Sequence, residues 1–211
     1  MPPFDSILFD FDGVLADTEP LHCACWAEVL APQGVRLEWG IYRERFMGID
    51  DREMLRLLAA ERTPPLSWED LWRLYPSKKD RFRSRVMTAP PFDPALRTFL
   101  NHLGGRYSLA VVSSSSCAEI EPMLDAGGLR HFFSTVVGAE SVKRHKPAPD
   151  PYLLAAERLG ARAPLVVEDS PAGLAAGRAA GFEVLAVKHP SEMPARVSQR
   201  LGDVAKLIAE S

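Results

Sequence analysis

The chain has 211 residues, 46% of them hydrophobic, and its 25 Lys and Arg against 28 Asp and Glu leave a formal charge of −3. That length suits one domain with a sizeable insertion or two small domains. A near-balanced charge excludes a broad basic footprint for nucleic acid, and no uninterrupted apolar segment reaches the roughly 18 residues that a membrane span needs.

The N-terminal Met1-Pro2-Pro3-Phe4-Asp5 has neither a basic n-region nor an apolar h-region, so an unprocessed, cytoplasmic protein is expected. Ser6-Ile7-Leu8-Phe9 then reads as a buried strand. It runs directly into Asp10-Phe11-Asp12-Gly13-Val14, two carboxylates one position apart followed by a glycine. If strand geometry continues through Asp12, both acids face one volume at the carboxyl end of a strand. Two anions so placed require a cation or a proton, which makes the pair a candidate Mg2+ site; the plainer alternative is an acidic turn that caps a helix.

Thr18 to Ala31 reads as a helix with Thr18 or Asp17 as N-cap and Leu21, Cys25, Trp26 and Val29 on its inner face. Cys23 and Cys25 lie about 200° apart around that helix. With Cys117 they are odd in number and are read as small buried hydrophobes in a reducing compartment. From there to about Met87 the apolar spacing is helical, as in Met54-Leu55, Leu57-Leu58 and Trp68, Leu71, Trp72, Tyr75. Ala89-Pro90-Pro91-Phe92-Asp93-Pro94 is a proline-rich joint.

Beyond the joint, helices at 94–102, 117–125, 151–159 and 172–180 alternate with strands at 108–113, 135–138, 165–168 and 184–187. This alternation implies a doubly wound α/β fold with a parallel, Rossmann-like sheet, interrupted after its first strand by an α-helical insertion. The core is expected to span 1–15 and 89–211, and the helical cap 16–88.

The later strands also end in reactive groups. Val111-Val112 leads into Ser113-Ser114-Ser115-Ser116, hydroxyl and amide donors fit for a phosphate, or alternatively a serine N-cap cluster. Leu165-Val166-Val167 ends in Glu168-Asp169, followed by Ser170-Pro171, where a cap is the simpler reading. Lys146 stands in a proline-stiffened loop, Lys146-Pro147-Ala148-Pro149-Asp150, where a lysine is ordinarily a solvated charge. In a doubly wound sheet these strand ends converge. Acids to hold a metal, a lysine and hydroxyls are the set that phosphoryl chemistry needs.

With all four motifs in order, the chain resembles the haloacid dehalogenase superfamily, in its phosphatase and β-phosphoglucomutase-like branch with an α-helical cap. The resemblance covers essentially the whole chain. It implies that Asp10 attacks phosphorus to form an aspartyl-phosphate, with Asp12 as general acid and base. It implies Mg2+ held by Asp10, the Asp12 main-chain carbonyl and Asp169, with Glu168 beside or within that set, and Ser113, Ser114 and Lys146 binding the phosphoryl group.

The cap is expected to select the substrate. Thr18 and His22 are four residues apart at its start, and packing is the equal alternative for His22. The stretch Phe46 to Arg52 resembles the cap loop of relatives, which makes Arg52 a candidate contact. Lys78 and Lys79 are candidates for a second anionic group. Solvated surface charge is the alternative for Arg52 and both lysines. The implied activity is Mg2+-dependent hydrolysis of a small phosphorylated metabolite, a sugar phosphate, by a monomer; phosphomutase chemistry is the alternative. In the mutase branch alanine commonly follows the threonine, where this chain has Glu19.

Overall fold

A computed structural model describes residues 4–47 and 49–187. Ser6–Phe9 forms the first strand, β1, buried at every position. Among the described residues five α-helices follow: α1 (Glu19–Leu30), α2 (Trp39–Arg45), α3 (Asp51–Ala60), α4 (Trp68–Trp72) and α5 (Tyr75–Thr88). Alternation then resumes with α6 (Leu96–Gly104), β2 (Ser108–Val112), α7 (Cys117–Ala126), β3 (Thr135–Val137), α8 (Asp150–Leu159), β4 (Pro164–Glu168), α9 (Pro171–Ala179) and β5 (Glu183–Ala186). Among the described residues these five strands pair in parallel, in the order β3-β2-β1-β4-β5. β1 therefore lies at the centre, between β2 and β4.

The central strands carry apolar residues on both faces because helices cover both faces. Leu8, Ala110, Val112, Val137 and Val166 pack with Tyr152, Ala155 and Ala156 of α8 and Ala176 of α9. Phe9, one residue on and so on the opposite face, meets Phe99 of α6 and Phe133 edge-on, with ring centroids 6.4 and 6.5 Å away.

The described chain forms two compact units, residues 4–17 with 89–187 and residues 18–88. The second unit begins at Thr18 rather than residue 16. Ala16 bridges to both Asp12 and Phe92, and the Asp17 N–H donates to the Pro91 carbonyl at 3.0 Å, which ties both residues to the sheet-bearing unit.

The helical unit has its own core, built on Trp26, Leu30, Tyr42, Phe46, Met54, Leu55 and Leu71. In α1 the inner positions are Cys23, Cys25, Trp26, Val29 and Leu30, while Leu21, expected inside, is only half-buried. α3 is opened by Asp50, which accepts the Arg52 N–H at 2.9 Å, and α4 by Ser67, which accepts that of Asp70 at 3.2 Å; these side chains satisfy amides that have no partner within the helix. In the expected cap loop at 46–52, Gly48 lies outside the described residues.

Candidate active site

Regular strand geometry stops at Phe9, one residue before the first acid. Asp10 still pairs through its backbone, its N–H donating to the Val167 carbonyl at 2.9 Å, so its carboxylate is delivered directly at the end of the central strand. Asp12 is positioned by a tight loop instead of by strand alternation. The N–H of Gly13 donates to the Ala16 carbonyl at 2.8 Å, and those of Leu15 and Ala16 converge on the Phe11 carbonyl. Gly13 adopts φ +79°, a left-handed conformation that a side chain disfavours. A Cβ there would also lie 2.0 Å from Asp169 Oδ2, so the missing side chain makes room for that carboxylate.

Lys146 joins three strand ends. Its ammonium donates to Asp10 Oδ1 at 2.7 Å, Glu168 Oε1 at 2.6 Å and the Val112 carbonyl at 3.0 Å, with the Tyr152 ring centroid 4.9 Å away. The lysine side chain is only 4% exposed, so the solvated-charge alternative does not hold. Burial alone would lower its pKa, but Asp10 and Glu168 raise it above the usual lysine value.

The two acids respond in opposite directions. Burial pushes Asp10 well above the ordinary carboxylate range despite Lys146, and the neighbouring Glu168 adds to the rise. Burial would also raise Glu168, yet it is held below the usual value by Lys146, the Ser170 N–H and the Tyr152 hydroxyl. Glu168 keeps its charge because both oxygens are supplied with donors: Lys146 and the Tyr152 hydroxyl (2.9 Å) on Oε1, and the N–H groups of Asp169 and Ser170 with the Ser170 hydroxyl (3.0 Å each) on Oε2. A Cβ on Gly173 would fall 1.6 Å from Oε1, so a glycine in the first turn of α9 admits the carboxylate.

At the end of β2, the Ser115 hydroxyl donates to Asp12 Oδ2 at 3.0 Å, and Ser113 Oγ is 3.5 Å from the same oxygen. Ser113 Oγ also accepts the Ser115 N–H at 3.0 Å. Ser114, expected beside Ser113 in a phosphate cradle, is exposed. Within the run of four serines, Ser115 makes the 3.0 Å contact to Asp12. Hydroxyl count identifies a donor loop, but the backbone path decides which hydroxyl turns inward.

Residues 7–187 match the model of the haloacid dehalogenase-like hydrolases. The chain belongs to that family. It is 35% identical over 189 residues to the fructose-1-phosphate phosphatase YqaB of Escherichia coli strain K12, covering 88% of this chain and 97% of the relative. It is 32% identical over 182 residues to a phosphorylated carbohydrates phosphatase of Thermotoga maritima, covering 85% and 82%. A crystal structure of a putative β-phosphoglucomutase from Thermotoga maritima superposes with a TM-score of 0.76 at 27% identity, covering 96% of this chain and 99% of that one.

In this hydrolase, one carboxylate oxygen from each of Asp10, Glu168 and Asp169 lies within 4.8 Å of the others. An all-oxygen set suits a hard divalent cation. The raised Asp10 fits one as well, because a second positive charge would favour its ionised form. Glu168 already accepts five hydrogen bonds, which leaves Asp10 and Asp169 better suited to direct ligation.

Within the helical unit, Thr18 is buried ahead of α1 and its carbonyl accepts the His22 N–H at 2.9 Å. His22 stacks on Phe82 with centroids 4.2 Å apart. Lys78, at 3% exposure, is the deeply buried member of the lysine pair, and Lys79 is half-buried. The Lys78 ammonium lies 2.9 Å from His22 Nδ1 and 3.0 Å from Asp51 Oδ2. An ammonium only donates, so His22 accepts through Nδ1. Arg52 is exposed on α3, with its guanidinium 4.7 Å from the Trp72 ring centroid. Tyr42, buried and unanticipated, donates to Glu19 Oε2 at 2.8 Å, and its pKa is raised by burial and by that carboxylate. No described helix is long and apolar enough to cross a membrane.

Proposed function

We propose that this hydrolase is a Mg2+-dependent phosphatase acting on a small phosphorylated sugar through an aspartyl-phosphate on Asp10. The observation that carries the reading is the position of Asp10 at the central strand end, in contact with Lys146 and within the Asp10, Glu168 and Asp169 cluster. The carboxylate of Asp10 forms a bond to phosphorus as the bond to the leaving oxygen breaks, and Asp12 gives its proton to that oxygen. Asp12 then takes a proton from water as the water oxygen attacks phosphorus. Inorganic phosphate leaves and the Asp10 carboxylate is restored.

Asp10, the Asp12 carbonyl and Asp169 would hold Mg2+, with Glu168 orienting the loop around them. Bound there, the cation neutralises charge on the phosphoryl oxygens. Ser113 and Lys146 bind the transferring group, and Lys146 keeps Asp10 apart electrostatically from Glu168. Uncatalysed hydrolysis of phosphate monoesters is slow enough that enzymes reach enhancements of about 10²¹, so each of these charge-neutralising groups is worth several powers of ten. Selection of the leaving group is assigned to the helical unit, with Thr18, His22, Arg52 and Lys79 the residues to vary. The sugar phosphatases among the relatives favour hydrolysis, as does Glu19; the likeness to a putative β-phosphoglucomutase keeps phosphomutase chemistry as the second reading.

The test is phosphate release with Mg2+ across sugar phosphates and other small phosphoesters, beginning with fructose 1-phosphate. β-Glucose 1-phosphate with a trace of its 1,6-bisphosphate is run alongside and assayed for glucose 6-phosphate. Steady phosphate release, abolished in a folded Asp10→Asn variant, is expected. Isomerised sugar with little free phosphate identifies a mutase, and full turnover by Asp10→Asn places the nucleophile elsewhere.

A further inference from the structure

We infer that Ser115 is a positioning residue for Asp12, holding the acid-base carboxylate in line with the leaving oxygen, while Ser113 serves the phosphoryl group. The inference rests on the proposed acid-base role of Asp12. An aspartate carboxylate turns broadly about its last torsion unless a partner fixes it. The Phe11 to Ala16 loop sets the backbone of Asp12, and the Ser115 hydroxyl takes hold of Oδ2 at 3.0 Å, a sound hydrogen-bond length, against 3.5 Å from Ser113.

Ser115 itself is held from both sides. Its N–H donates to Ser113 Oγ at 3.0 Å, and its carbonyl accepts the Ala139 N–H at 3.0 Å. That approach passes over Gly138, where a Cβ would lie 3.0 Å from the Ser115 carbonyl oxygen and 2.5 Å from the Cys117 nitrogen. The strand end of β3 thus braces the Ser115 backbone, and Ser115 in turn orients Asp12. The Ser115 amide also occupies a lone pair of Ser113 Oγ, which biases the Ser113 hydroxyl toward donating, the role a phosphoryl oxygen requires. The Ser115 hydroxyl can donate to Oδ2 both when the acid is ionised and when it carries its proton on Oδ1, so the contact survives both halves of the reaction.

Positioning a proton donor matters in proportion to how badly the leaving group needs the proton. Single-turnover rates of phosphoenzyme formation are measured by rapid quench for Ser115→Ala, Ser115→Thr and Asp12→Asn. The substrates are p-nitrophenyl phosphate, whose phenolate leaves without help, and the best sugar phosphate of the panel above, whose alkoxide does not. General acid-base catalysis contributes about 10²- to 10⁴-fold, so Ser115→Ala is expected to slow the sugar phosphate at least about tenfold more than the aryl phosphate, in the maximal rate of phosphoenzyme formation more than in the substrate concentration that gives half of it. Ser115→Thr, which keeps the hydroxyl, restores most of the rate.

Equal losses on both substrates overturn the inference in favour of a structural serine. A rise in the half-saturating substrate concentration with the maximal rate of phosphoenzyme formation intact overturns it in favour of a substrate-binding one. If Asp12→Asn shows the selective loss and Ser115→Ala does not, Ser115 alone is misassigned. If Asp12→Asn shows no selective loss, the acid-base reading of Asp12 itself fails.

Discussion

Replacing Lys146 by methionine keeps the chain length of the side chain while removing the ammonium that Asp10 and Glu168 share. Glu168 is fully buried, and the Asp10 side chain is 10% exposed. Breaking a buried ion pair from one side costs about 3–5 kcal/mol, because a charge is left in a dry site without a partner. Two acids lose their partner here, but Glu168 retains the Tyr152 hydroxyl and the donors on Oε2, so the same range applies. At about 2–4 °C per kcal/mol for a chain of this size, the melting temperature should fall by roughly 6–20 °C when measured without metal in EDTA.

The pH dependence has a definite sign. In the native protein the Glu168 pKa is lowered, so its stabilising share is complete above the ordinary carboxylate range and is lost as pH falls through the folded value. In the variant, two buried acids face each other with no cation, and one holds a proton to higher pH. The deficit relative to the native protein is therefore greatest near neutral pH and shrinks on acidification to about pH 5. Thermal unfolding monitored by circular dichroism at several pH values reads both effects. A variant that melts within about 1 °C of the native protein, or a deficit that grows on acidification, would refute the reasoning.

Gly13→Ala should raise the Mg2+ concentration for half-maximal activity by about 10- to 100-fold in a chain that still folds, because the new methyl displaces Asp169; an unchanged metal titration would show the close approach to be irrelevant. Tyr152→Phe removes a donor from buried Glu168 and should cost about 1.5–3 kcal/mol by urea unfolding, whereas a neutral change would mean the remaining donors suffice. Burial pushes the Cys23 thiol up to about 11, so the native protein should alkylate at Cys23 far more slowly than after denaturation, as mass spectrometry of iodoacetamide-treated samples can check. Lys78→Met leaves Asp51 and His22 without their ammonium and should destabilise the helical unit. Combination with Asp51→Asn should recover part of the loss, and strictly additive losses would count against a coupled pair.

Much of the fold was legible in the chain because it rests on local regularities. Strands buried on both faces must be continuously apolar, and the crossover helices between them repeat at their own period, so the alternation after Pro94 announced a parallel sheet. Chemical residues at strand ends were legible for the same reason: Asp10, Ser113 and Glu168 each interrupt an apolar run. An idealised strand would place Asp10 and Asp12 on one side, yet the strand ends at Phe9 and the tight loop around Gly13 carries Asp12. Which hydroxyl of the four-serine run reaches Asp12 and how a single ammonium divides its charge between Asp10 and Glu168 depend on distances between segments remote in the chain. No periodicity encodes such distances; they arise only when three strand ends close around Lys146.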